Sequence, residues 1–134
     1  MGSELCISDS EHTARAREIL GEGPILAPEQ KVLLETDPSR AREIARANMK
    51  TYLGLPNYQN SLRWLGFGDD DLAGGGSDRL VDAIVAWGDE KAIAERIQAH
   101  HDAGADHVCI QPLRPDGVPG PDLRILEALA PAKN

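Results

Sequence analysis

Apolar residues recur along this chain with two different periods, and the changes of period mark the elements. A helix is predicted from Ser10 to Leu20, capped by Ser10, with Ala14, Ile19 and Leu20 as a thin apolar face. Gly21-Glu22-Gly23-Pro24 stops it. The next segment, Glu29 to Asp37, has a continuous apolar centre, Val32-Leu33-Leu34, too short for a helix. Such a run suits a strand covered on both faces, as in a parallel sheet. Asp37-Pro38 then opens a helix, Asp as cap and Pro in the first turn where its missing N–H costs nothing. Ala41, Ile44, Ala45, Met49, Tyr52 and Leu53 carry its apolar stripe to about Leu53.

Pro56-Asn57 begins a shorter helix with Tyr58, Leu62, Trp64 and Leu65, ended by Gly66-Phe67-Gly68. After a loop through Asp69-Asp70-Asp71 and Gly74-Gly75-Gly76, Ser77 or Asp78 caps a helix. Leu80, Val81, Ile84 and Val85 form its apolar face and Gly88 closes it. Asp89 caps another helix, to His101 or Asp102, whose inner stripe reads Ile93, Ala94, Ile97 and His101. Gly104 supplies its left-handed end, and Val108-Cys109-Ile110 reads as a second buried strand. A Pro/Gly loop to Pro121 leads to a last helix, about Asp122 to Leu129, with Leu123, Ile125, Leu126 and Leu129. The result is a mostly helical α/β chain with about two parallel-type strands: an irregular leader over residues 1–10 and one domain over residues 11–134. Two strands are too few for an independent sheet, so the pattern calls for strand neighbours from elsewhere.

Composition narrows the function classes. The chain has 134 residues, one domain's worth. Its formal charge of −8 would repel a polyanion, and no dense Lys/Arg cluster overrides it, which argues against nucleic acid as a partner. No apolar run approaches the ~20 residues a membrane span needs. Met1 to Ser10 has no basic region followed by an apolar stretch, so it does not read as a secretory signal. The two cysteines, Cys6 and Cys109, read as reduced thiols of a cytoplasmic protein.

The chemical motifs are individually weak. Gly74-Gly75-Gly76-Ser77-Asp78 precedes a helix, but it lacks the lysine and the preceding strand of a phosphate loop. His100 and His101 are adjacent, so they point to different sides of their helix and do not make a chelating pair. Asp69-Asp70-Asp71 lacks the alternation of a calcium loop. No metal site is expected. Trp64 reads as a core residue. Tyr58 and Asn57 begin their helix and read either as core or as the lining of an opening. In a β/α fold, chemistry collects beyond the strand C-termini, here Glu35-Thr36 and Gln111-Pro112-Leu113-Arg114.

Several segments together resemble a known family. They are Ala14-Arg15-Ala16-Arg17-Glu18-Ile19-Leu20, Leu26-Ala27-Pro28-Glu29-Gln30 and Leu34-Glu35-Thr36-Asp37-Pro38. More specific are Leu55-Pro56-Asn57-Tyr58, Leu62-Arg63-Trp64-Leu65-Gly66-Phe67 and Gly74-Gly75-Gly76-Ser77-Asp78-Arg79-Leu80-Val81, followed by Gly104-Ala105-Asp106-His107-Val108. In this order they resemble the C-terminal part of luciferase-like monooxygenase class oxidoreductases, in the branch that uses the deazaflavin coenzyme F420. The resemblance runs over roughly residues 11 to 130.

The resemblance implies a C-terminal fragment of a (β/α)8 TIM-type barrel, with Val32 to Glu35 in its seventh strand and Val108 to Gln111 in its eighth. The helices between Pro56 and Trp87 would be an insertion. It further implies hydride transfer between the deazaflavin, or flavin mononucleotide (FMN), and a small organic substrate. A whole barrel needs ~250 residues. The family's acid/base residues belong to the preceding six strands, so no catalytic residue carries over. Asn57, Tyr58 and Gln111 are the positions expected to face the cofactor mouth. Activity would then require a complementing N-terminal half or a homo-oligomer. Two rival readings are a non-catalytic helical dimerisation or interaction module, and a truncated gene product.

Overall fold

The computed structural model describes residues 10–131. The leader residues 1–9, Cys6 among them, and residues 132–134 lie outside the described residues. The element order is α1 (Ser10–Leu20), β1 (Glu29–Leu34), α2 (Pro38–Leu53), α3 (Pro56–Trp64) and α4 (Asp69–Leu72), which a 3₁₀ turn over Ala73–Gly75 prolongs. Then come α5 (Asp78–Ile84), β2 (Val85–Gly88), α6 (Glu90–Asp102), β3 (Cys109–Leu113) and α7 (Leu123–Leu129). No helix among the described residues is long and apolar enough to cross a membrane.

Three helix caps predicted from sequence form, and Asp122 adds one that was not predicted. Asp37 accepts from the Arg40 N–H, Ser77 from Leu80, Asp89 from Ala92 and Asp122 from Arg124.

The sheet has three parallel strands in the order β2-β1-β3. Lys31 lies opposite Val85 on one side and Gln111 on the other, and Leu33 lies between Trp87 and Leu113. The chain therefore steps from β1 to one side, then crosses back over β1 to reach β3. Right-handed crossovers taken in opposite directions must place their helices on opposite faces. The core divides accordingly. Leu33 and Val85 pack with Ala41, Ala45 and Met49 of α2, with Leu62 of α3 and with Leu80 and Ile84 of α5. Val32 and Ala86, pointing the other way, pack with Ile93 of α6 and Ile125 of α7.

Five expectations need correction. The segment Val85–Gly88 is a strand, although its apolar spacing continues that of α5. β1 offers an edge on which Val85 and Ala86 can bury opposite faces, and that pairing outweighs another half-turn of helix. The sheet thus has its third strand from within the chain. Second, β3 is a half-exposed edge strand with Cys109 open to solvent, whereas β1 is buried through Gln30, Lys31, Val32 and Leu33. Pro112 suits such an edge, because a central strand would need its missing N–H.

Third, Trp64 is exposed (59%) with Arg15 stacked 4.3 Å from its ring centroid. Tyr58 and Leu62, four residues apart, take the buried row of α3. Fourth, the face of α1 that docks is polar: Thr13 is buried, while Ile19 and Leu20 point outward. Fifth, on α6 the inner histidine is His100, fully buried, while His101 and Ala94 are exposed.

Candidate functional site

A sheet whose middle strand is followed by a helix on one face, and whose neighbour is followed by a helix on the other, opens a crevice between the two strand ends. Ligands of open α/β sheets bind at such switch points. Here β1 feeds α2 and β3 feeds α7, on opposite faces. A groove of about 660 Å³ lies at this place. One wall is α2, through Arg40, Ile44, Ala47 and Asn48, and the other is the loop from Pro112 to Gly120. A second cavity, about 520 Å³, shares Arg40 and Arg114 with it and reaches Glu35, Asp122 and Arg124. A third, about 590 Å³, continues past Thr36 to Gly88 and Lys91. Together they form one trough across the carboxyl ends of β3, β1 and β2.

Ion pairs line the trough. Arg40 Nε lies 3.2 Å from Glu35. Arg114 donates through Nε and Nη2 to Asp116, at 3.0 and 2.6 Å. Arg124 does the same to Asp122, also at 3.0 and 2.6 Å. The Arg114 guanidinium, with the Val118 N–H, holds the Asp116 carboxyl down at about 2. Asp122 is likewise lowered, first by the hydrogen bond from Arg124. Arg124 is raised mainly by that same bond, with smaller help from Asp116 and Glu35, so these charges act on one another across the crevice.

The three residues singled out from sequence take different places. Gln111 sits in the middle of β3, below the trough, and its Oε1 accepts from Lys31 Nζ at 2.5 Å. Lys31 Nζ also lies 4.9 Å from the Tyr52 ring centroid and 4.0 Å from Glu29. Tyr52 in turn packs on Tyr58 with ring centroids 5.7 Å apart. Gln111 and Tyr58 are therefore joined through Lys31, which sequence reasoning passed over, and Tyr52, which it read only as part of the α2 apolar stripe. Tyr58 itself is buried. Asn57 is exposed at the start of α3. The signal for Lys31 was present: a cation inside a strand that otherwise reads as covered on both faces. The cluster adjoins the groove, because Tyr52 follows Asn48 by one turn of α2 and Gln111 precedes Pro112.

Among the described residues no group of three or more His, Cys, Asp or Glu side chains is placed to hold a metal ion. No protein-family model matches the chain, and neither a curated protein nor a solved structure matches it.

Proposed function

We propose that this chain is the C-terminal portion of a cytoplasmic, deazaflavin-dependent, luciferase-like oxidoreductase, with coenzyme F420, or FMN in its place, seated in the trough. The observation that carries this reading is the position of the trough, whose first cavity lies at the carboxyl end of β3 and whose second reaches that of β1, in a chain whose motifs follow that family's order. In this reading β1 and β3 are the seventh and eighth barrel strands, which would be neighbours. They do pair in parallel, from Glu29 opposite Cys109 to Leu33 opposite Leu113. β2 takes the other edge of β1, where a sixth strand would pair, and helices cover both faces of the sheet where a barrel has one outer layer, so a complementing half would join at the free edge of β3.

The residues suit the group. A volume of about 660 Å³ lies within the ~300–1,000 Å³ of small-molecule sites. Ile44, Ala47 and Val118 offer apolar wall to a ring system, and Arg40 and Arg114 offer cations to its anionic chain. When bound, the deazaflavin or flavin would supply a ring position that gives or takes hydride. This chain's own part is to bind and orient it: α2 and the loop after β3 clasp the ligand and keep water from its face. Gln111 and Tyr58 serve as positioning residues through Lys31 and Tyr52. Acid/base groups come from outside the chain, supplied by a complementing N-terminal half or within a homo-oligomer.

A fluorescence titration of the chain with oxidised F420, with FMN in parallel, tests this. Saturable binding near micromolar is expected for at least one of them. Absence of binding for both would leave the interaction module in front. Its own support is the pair of solvent-facing aliphatic side chains Ile19 (74% exposed) and Ile25 (80%).

A further inference from the structure

We infer that the crest of the sheet carries an oxyanion seat, in which the guanidinium groups of Arg40, Arg114 and Arg124 close on a phosphoryl group. The three come from separate elements, α2, the loop after β3 and α7, yet line one cavity of about 520 Å³. Their carboxylate partners are arranged unevenly. The side chains of Glu35 and Asp122 are only 18% and 7% exposed, whereas those of Arg40 and Arg124 are 64% and 60% exposed. In these two pairs the carboxylates thus sit at the inner end and aim the cations outward, into the crevice. Asp122 is anchored further as the cap of α7, where it accepts from the Arg124 N–H at 3.1 Å.

A guanidinium has five N–H donors, and a two-bond contact with a carboxylate leaves three. Planar forks of this kind match phosphate oxygens well. The third pair differs, because the side chains of Arg114 and Asp116 are 37% and 51% exposed. Asp116 stands at the lip, and its carboxylate is the group an incoming anion displaces. The chain as a whole is at −8, so its general field gathers no anions and the selectivity must be local.

The seat stands on this geometry alone; only its assignment to a cofactor phosphate rests on the oxidoreductase reading. The test is a titration of the ¹⁵N-labelled chain with inorganic phosphate at pH 8, against sodium chloride of equal ionic strength, read at the arginine Nε–Hε resonances. Phosphate is expected to move the signals of Arg40, Arg114 and Arg124 saturably, and chloride to leave them in place. Arg124→Gln should weaken the phosphate response about tenfold or more, Arg124→Lys less, and Arg63→Gln, on an exposed pair with Asp69 away from the crest, not at all. Equal responses to phosphate and chloride, or an Arg124→Gln chain that binds phosphate as the parent does, would overturn the seat. FMN and riboflavin separate the two proposals. FMN binding that riboflavin and Arg124→Gln both lose supports the seat and assigns it to the cofactor. Phosphate binding with neither FMN nor F420 binding keeps the seat and ends the cofactor reading. FMN and riboflavin binding alike, with no phosphate response, keeps the cofactor and ends the seat.

Discussion

His100 is a fully buried polar side chain, and its hydrogen bonds fix its chemistry. Gln30 Nε2 donates to the carbonyls of Lys31 and Ile84, so Gln30 Oε1 is left to accept. It does so from His100 Nε2, at 2.8 Å. Nε2 therefore carries a proton in this assignment, and Nδ1 lies in hydrogen-bond contact with the Thr13 hydroxyl at 2.8 Å. One imidazole thus ties α1, α6 and β1 together. Replacing it with Phe fills the space but leaves Thr13 and Gln30 without this partner inside the protein. Stripping the buried Gln30 Oε1 of its partner costs ~1–3 kcal/mol, so His100→Phe is expected to lose about that much by urea denaturation. His101→Phe, on the exposed neighbour, should stay within ~0.5 kcal/mol. The helical period admits either histidine, seven or eight residues after Ile93 and three or four after Ile97. Thr13 and Gln30 decide between them, and they lie 87 and 70 positions away in sequence.

At the scale of elements, α5 passes through β2 into α6 almost without a loop. Helix gives way to strand with no intervening loop, and Asp89 caps α6 directly after Gly88. Gly88 has φ +141°, and a Cβ there would lie 2.8 Å from the Cβ of Ala92. Both facts require glycine. Gly88→Ala is expected to cost ~1–3 kcal/mol in thermal or chemical unfolding. Ala92→Gly in the same chain should recover only the part due to the clash, since the backbone strain stays. Helix ends and β1 were legible because Asp, Ser, Pro and Gly act through their immediate neighbours. β2 was not, because Leu80, Val81, Ile84 and Val85 satisfy a helical period. Only the open edge of β1, 54 positions earlier at the Lys31–Val85 pair, turns the last of them into a strand. α1 was misjudged for a related reason. Its own apolar residues are few, and it docks through Thr13 and through Arg17, which binds the Gly104 carbonyl at 2.9 Å and Asp106 at 2.6 Å.

For the whole molecule, these Arg–Asp pairs link elements and set the response to acid. Arg42 holds Asp82, joining α2 to α5, and Trp87 Nε1 donates to the same carboxylate from β2. Asp82 is lowered on balance: burial opposes it, and the bonds from Arg42 and Trp87 prevail. Asp71 is lowered by Arg79 and Ser77, and Asp106 by the Leu26 N–H and Arg17. Asp116 is lowered to about 2. A carboxylate with a depressed folded value stabilises the fold at every pH above its unfolded value of 3.8, and that contribution is lost as pH falls through the folded value. The contribution of these carboxylates is therefore expected to be level above about pH 5 and to fall from about pH 4 toward pH 2, measured by urea midpoints across that range. The trough belongs to this scale too. Its walls come from α2, from the loop after β3 and from the ends of all three strands, and no local motif announces it. By itself the sequence determined the helix caps, the buried middle strand and the alternation that makes an α/β chain, because these rest on contacts within a few residues. The tertiary structure alone decided the strand order, the inner histidine and the setting of Lys31 and Gln111. It also decided the meeting of Arg40, Arg114 and Arg124, because each depends on which distant surface a side chain meets.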